Sequence, residues 1–189
     1  MLKHIQAVLI LPVMVTVVIP GLLILTAEPG KTGWALSLPL NWLALLGGVL
    51  FVSAGLILLF KTISLFATIG QGTLAPWFAT RKLVVQGIYQ YVRNPMISGV
   101  FCILLGEVLI FGSTILLTWF FMVVIINLIY IPLFEEPGLE RRFGADYGLY
   151  KQNVPRWIPR LAPWQPPGGK VRMSENTSGS LASGEVEEK

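Results

Sequence analysis

The sequence predicts an all-α, polytopic membrane bundle of four helices that ends in a tight C-terminal helical hairpin and carries functional segments at its cytoplasmic end. Composition, charge-free windows and the absence of any β-type alternation lead to this class. Of the 189 residues, 54% are hydrophobic and only 13% charged, against about 25% charged in soluble domains, and mean hydropathy is +0.70. So few charges cannot cover a core in water, which excludes a cytosolic globular protein and, along most of the length, disorder. The windows 5–27, 38–60 and 113–134 contain no Asp, Glu, Lys or Arg, and a crossing takes about 20 apolar residues. The lone Cys102 excludes a disulfide framework, and the lone His4 excludes Ser-His-Asp chemistry and multi-histidine metal sites. No metal is expected.

The first window, Ile5–Ala27, follows Lys3 as a signal peptide would. Its apolar run exceeds the ~7–15 residues of an h-region and no small-residue cleavage site follows, so it reads as a retained span. Leu38–Phe60 is the second span. Thr62–Thr80 has no charge until Arg81 but contains Gly70, Gly72 and Pro76, which favour a re-entrant or interfacial segment over a fifth crossing. Met96–Phe111 is a shorter third span containing Glu107, and Gly112-Ser113 joins it to the fourth, Ser113–Phe134, as a hairpin. The expected organisation is N-terminal transmembrane helices over 1–61, a core over 62–162 and a disordered Ser/Gly/Glu-rich tail over 163–189.

Because the last two spans form a hairpin, the segments flanking them share one membrane face. The leading flank carries Arg81, Lys82 and Arg93; the trailing flank carries Arg141, Arg142, Lys151, Arg156, Arg160, Lys170 and Arg172. The opposite candidates, the 27–40 loop and the Gly112 turn, hold only Glu28 and Lys31. The positive-inside rule puts both flanks in the cytoplasm.

The chemistry-bearing residues cluster at those hairpin ends: Gly87-Ile88-Tyr89-Gln90-Tyr91-Val92-Arg93-Asn94-Pro95-Met96 on one side, Phe134-Glu135-Glu136-Pro137 on the other, followed by Phe143-Gly144-Ala145-Asp146-Tyr147 and Val154-Pro155-Arg156-Trp157-Ile158-Pro159. Adjacent carboxylates at the mouth of an apolar span are costly without a cation, water or donors. They are either a solvated helix end stopped by Pro137 or part of a site. Arg156 is either a headgroup-binding cation or one more positive-inside charge. Glu107, about 18 Å along a helix from Pro95, reads as a structural group near the far headgroups. Gly99, Gly106 and Ser113 repeat every seven residues, a stripe that favours close helix packing. Leu139, Phe143, Tyr147 and Tyr150 share one helical face, as in an interfacial helix. Cys102 reads as a buried small apolar residue, and Trp42, Trp77, Trp119 and Trp157 as packing or interface residues.

These runs, with Gly72-Thr73-Leu74-Ala75-Pro76-Trp77 and Leu83-Val84, resemble the integral-membrane methyltransferases, which include isoprenylcysteine carboxyl methyltransferases and phospholipid N-methyltransferases. The resemblance covers about residues 65–162. It implies an all-α fold that uses S-adenosylmethionine, with cofactor contacts at Leu83, Val84, Tyr89, Asn94, Pro95, Met96, Ile97, Glu135 and Glu136 and a glycine element at Gly70 and Gly72. It also implies a lipid or lipid-like substrate in the membrane, with Glu135 and Arg156 as the candidate catalytic residues. The prenylcysteine enzymes carry His-Pro followed by Tyr where this chain has Asn94-Pro95 and Ile97, and their carboxylate-binding arginine falls on Ile131. Phospholipid N-methylation is therefore expected. Carboxyl methylation of a prenylcysteine-like acid and a non-catalytic scaffold are the alternatives. Nothing suggests nucleic-acid binding.

The topology has a direct check. In a Cys102→Ala background, cysteines introduced at positions 82 and 151 are expected to label from the same, cytoplasmic side. Labelling from opposite sides would break the hairpin reading.

Overall fold

The structure, a computed structural model, describes residues 10–26, 33–69 and 83–166. All regular elements among them are helical: α1 (Ile10–Thr26), α2 (Leu38–Ile69), α3 (Pro95–Phe111), α4 (Thr114–Tyr130) and α5 (Glu136–Asn153). Two stretches are long and apolar enough to cross a membrane: Leu38–Leu65, and Thr114–Asn153, in which α4 runs on into α5. Of the four expected spans, α1 and α3 are shorter apolar helices; the 17 residues of α3 extend only about 25 Å. Large apolar side chains cover the outer faces, Leu38, Phe60 and Leu25 being 76%, 73% and 82% exposed. Such a surface is stable against acyl chains rather than water, and the chain is a membrane protein.

One boundary differs from the sequence reading. The span expected to stop at Phe60 continues as α2 through Lys61 to Ile69, 32 residues in all. Nothing in Thr62-Ile63-Ser64-Leu65 opposes a helix, and the Thr62 hydroxyl donates back to the Leu58 carbonyl at 2.8 Å. Residues 62–69 are thus part of α2. The breakers Gly70, Gly72 and Pro76 lie outside the described residues, as does most of the expected tail. Trp164, placed at the start of that tail, is instead held in the fold: its backbone N–H donates to the Gln90 carbonyl at 3.0 Å and its ring lies 5.9 Å from that of Tyr150.

The antiparallel pair α2–α3 is packed backbone to backbone on glycine. A Cβ on Gly55 would lie 2.6 Å from the Gly99 carbonyl oxygen, and one on Gly106 would lie 2.7 Å from the Gly48 carbonyl oxygen. The expected stripe of Gly99 and Gly106 is real, and its counterpart is Gly48 and Gly55, also seven residues apart. Ser113 is buried and begins α4. On the other side of α3, Val100 and Leu104 pack with Val123 of α4, joined by Val15, Leu59 and Trp119, so all four apolar helices meet there.

Freed carbonyls are satisfied at the Gly112 end of this bundle and again within α1. At the hairpin turn Gly112 adopts φ 56°, ψ 36° and donates to the Val108 carbonyl. Gly33 N–H donates to the Phe111 carbonyl at 2.9 Å and Trp34 Nε1 to that of Leu109 at 3.0 Å, capping the last turn of α3. In α1, Met14–Val18 form a π-turn in which Ile19 N–H donates to the Met14 carbonyl. The Val15 carbonyl is then left over, because the residue that would serve it, Pro20, has no N–H. Trp119 Nε1 of α4 donates to it at 3.1 Å. An apparent defect of α1 thereby docks α1 on α4.

The glycine contacts can be tested singly. Gly55→Ala and Gly106→Ala are expected to destabilise the bundle by about 1–3 kcal/mol, because the clash is with backbone and cannot be relieved by a rotamer. Gly21→Ala, where a Cβ meets nothing within 4 Å, should be neutral or stabilising by up to ~1 kcal/mol. Denaturation in micelles followed by circular dichroism distinguishes them, and an equal response at all three positions would refute tight packing.

Candidate functional site

The site is built at the end of the bundle opposite Gly112, and it begins with a proline. Pro132 cannot donate to the carbonyl one turn earlier, and its ring crowds that carbonyl. The helix responds with a π-turn, Ile131–Glu135, closed by Glu136 N–H donating to the Ile131 carbonyl. The extra residue in the turn rotates the helix beyond it, as π-bulges near functional sites do. Glu135 is left exposed, while Glu136 is 2% exposed.

Three cations converge on the buried Glu136 carboxylate. Arg93, at the start of the hairpin, donates from Nη1 to Oε1 at 2.9 Å. Arg156, beyond α5, binds in a fork, Nε to Oε1 at 2.6 Å and Nη2 to Oε2 at 2.9 Å. Lys151 Nζ lies 3.2 Å from Oε2 and bridges to Glu140 Oε1 at 2.7 Å. Burial alone would raise the Glu136 pKa; the Arg156 hydrogen bonds, the Arg93 charge and the Lys151 bond outweigh it and hold the carboxyl below the usual carboxylate range. The same partnership raises Arg156. Glu136 and Arg156 therefore both stay charged.

Around this cluster the loop before α3 is fastened to the segment after α5. Arg93 N–H donates to the Pro155 carbonyl at 2.9 Å and Arg160 N–H to that of Tyr91 at 3.0 Å. Tyr150 Oη donates to the Tyr89 carbonyl at 2.8 Å. A small apolar core backs them, with Val85, Tyr147, Tyr150 and Val154 buried and Leu83, Leu139 and Phe143 packed against it. The helical face expected from Leu139, Phe143, Tyr147 and Tyr150 is real. It meets Leu83, Val85 and Val154, and α5 bends on the way at Gly144 (φ 53°, ψ −129°). Burial pushes the Tyr89 and Tyr150 hydroxyls far above the ordinary tyrosine range, so both stay protonated.

The expected site residues fall into three groups. Leu83 and Val84 are half-buried in extended chain, and Tyr89 sits on the 3₁₀ turn Gly87–Gln90. Asn94 precedes α3, Pro95 opens it, and Met96 and Ile97 complete its first turn. Glu135 and Glu136 end the π-turn. Asn94 and Glu135 are the chain neighbours of Arg93 and Glu136, whose side chains pair at 2.9 Å. Among the described residues Glu135 makes no ion pair and the Asn94 amide no hydrogen bond; the Asn94 carbonyl accepts from Ser98 N–H and Oγ, both at 3.0 Å. Gly70 and Gly72 lie outside the described residues. Sequence reading took Lys151 only as a topology-setting charge and placed Arg93 in the chemistry-bearing run without giving it a partner, so it missed their part in the cluster; the signal available was that a buried carboxylate needs cations.

Removing the central charge should expose its role. Glu136→Gln leaves two guanidinium groups without their counter-ion and is expected to cost on the order of 3 kcal/mol. Since the folded carboxyl titrates below its ordinary value of 4.5, its contribution is complete above about pH 4.5 and is lost as pH falls through the lower folded value. The wild type should lose stability in that acid range, and Glu136→Gln should lack this increment. Near-ultraviolet circular dichroism of thermal unfolding reads both, and identical acid profiles would contradict the assignment.

Comparison with known proteins adds an independent finding. The family model described as PEMT, phospholipid methyltransferase, matches residues 42–146, from α2 through both helices of the hairpin and the glutamate pair into α5. No curated protein and no solved structure gives a significant match. With more than half its length matched, the chain belongs to the phospholipid methyltransferase family.

Proposed function

We propose that this chain is an S-adenosylmethionine-dependent methyltransferase, embedded as a multi-pass protein, that methylates the amine of a phospholipid headgroup at the cytoplasmic face. The observation that carries the reading, beyond family membership, is the division of labour between the two glutamates. Glu136 is spent on Arg93, Lys151 and Arg156, whereas Glu135 is exposed and, among the described residues, makes no ion pair, and the Asn94 amide makes no hydrogen bond.

The residues fit the cofactor. It presents an ammonium, a carboxylate and an adenine edge; Glu135 is a free acceptor for the ammonium, and the Asn94 amide offers both a donor and an acceptor. Leu83, Val84, Met96 and Ile97 supply half-buried apolar contact. When bound, the cofactor supplies an electrophilic methyl group. The protein's task is then positioning and exclusion of water, with no acid or base of the histidine kind. Glu136 serves the site indirectly, holding Arg93 and so the start of α3 next to Asn94. Arg156 has two of its nitrogens on Glu136, and its remaining N–H groups, with those of Arg160, are the donors for a lipid phosphate.

A prenylcysteine carboxylate is the weaker reading for a specific reason. Ile131, at the position of that family's arginine, is 1% exposed, so an unpaired carboxylate there would meet hydrocarbon at a cost of several kcal/mol.

Two measurements test the reading. S-adenosylhomocysteine should raise the melting temperature of the purified protein by mass action, and Glu135→Gln should weaken its binding about tenfold or more, the loss of a charge-assisted bond. Incubation with labelled methyl donor and total membrane lipid should label phospholipid in preference to an added prenylcysteine analogue. No stabilisation would point to a non-catalytic scaffold, and faster labelling of the analogue to carboxyl methylation.

A further inference from the structure

The segment after α5 reads Val154-Pro155-Arg156-Trp157-Ile158-Pro159-Arg160-Leu161-Ala162-Pro163-Trp164. It is neither helix nor strand, yet it is not loose. Backbone hydrogen bonds tie Pro155, Arg160 and Trp164 to Arg93, Tyr91 and Gln90 at 2.9–3.0 Å. A loop fastened this firmly and facing water would present polar side chains at its tip. Here the tip presents Ile158, 78% exposed, and Leu161, fully exposed.

Its neighbour shows where that tip lies. The Trp157 ring packs on Phe101 with centroids 5.3 Å apart. Phe101 is six residues into α3, about 9 Å along the axis from Pro95, and α3 packs between α2 and α4, the two helices of membrane-spanning length. The segment therefore runs alongside the apolar bundle and continues its lipid-facing surface. The backbone is only partly prepared for a dry setting. Pro155, Pro159 and Pro163 have no N–H to desolvate, and the N–H groups of Arg160 and Trp164 are bonded. Those of Trp157, Ile158 and Leu161 have no backbone acceptor among the described residues and need the water or headgroups of a shallow insertion. Charge agrees: Arg160 spends Nη1 on the Asn153 carbonyl at 2.8 Å, leaving donors for an anion beside the two apolar side chains.

We propose that residues 157–161 are a membrane-inserted loop: Ile158 and Leu161 sit among the acyl chains of the leaflet on the site side, and Arg160 lies at the level of the lipid phosphates. The partner is the lipid surface itself, an aliphatic layer beneath anionic headgroups. Trp157, at the junction, takes the place an indole prefers at a membrane boundary. The insertion shares Arg160 with the proposed phosphate contact but does not depend on it, and it holds whether or not the chain binds a cofactor.

Spin labels on cysteines at Ile158 and Leu161, one at a time in full-length Cys102→Ala protein, test this in vesicles of phosphatidylcholine and phosphatidylglycerol. Both positions are exposed, so the labels do not disturb the core; a label at exposed Glu140 is the aqueous control. Collision with oxygen should exceed collision with a water-soluble nickel chelate at 158 and 161, with the order reversed at 140. Ready access of the nickel chelate to 158 and 161 would show a loop in water. Shielding from both reagents would show protein cover, from a second copy or from another part of the chain. Either result overturns the proposal.

Discussion

One carboxylate, that of Glu136, decides how the chain is arranged at the functional end. Alone and nearly inaccessible to water, it would be untenable. With three cations it becomes the point at which separate pieces of chain are compelled to meet, because each cation comes from a different place: Arg93 from the approach to α3, Lys151 from the end of α5, Arg156 from the segment beyond. The cost of desolvating an ion pair often cancels its attraction. Here a forked guanidinium and a second arginine share one acceptor, and the backbone hydrogen bonds between the loop before α3 and the segment after α5 form around them. The loop that carries Asn94 and the turn that carries Glu135 are held in place by that meeting.

The bundle supplies the other half of the constraint. In lipid there is no hydrophobic gain from pressing two apolar helices together, so association depends on contact distance. Gly48 and Gly55 against Gly106 and Gly99 let two backbones touch, which fixes the position of α3 without any polar side chain. Gly99 is four residues from Pro95, so the stiffest part of the bundle lies one turn below the residues that face the site. Rigidity is thereby delivered to Asn94 from below by packing and to Arg93 from the side by charge.

The broad outline was legible in the sequence because it rests on strong one-dimensional signals. Charge-free windows and the Gly112-Ser113 turn gave an all-helical membrane protein with a hairpin, and the glycine stripe on α3 declared a close neighbour without naming it. The continuation of α2 past Lys61 was not legible, because a single lysine and two hydroxyl residues resemble a boundary although the helix tolerates all of them. Neither was the fate of the two glutamates. Their adjacency announced chemistry, but which of them turns inward depends on the single-residue offset introduced by Pro132, and the cations that claim Glu136 lie 43, 15 and 20 residues away in sequence. Such pairing is a property of three-dimensional placement alone.

The π-turn carries a consequence for how this stretch can change. An α-helix advances about 100° per residue, so the additional residue between Ile131 and Glu136 acts as a phase shift. Substitutions along α4 that keep the π-turn leave this phase unchanged, whatever they cost in packing. Winding the turn at the ordinary pitch with every residue retained would put Glu135 above Ile131 in place of Glu136 and bring the wrong glutamate to the arginines, even though every side chain of the cluster was still encoded. Deleting one residue as well would return Glu136 to that place, so at this turn the pitch of the helix and the number of its residues can change only together.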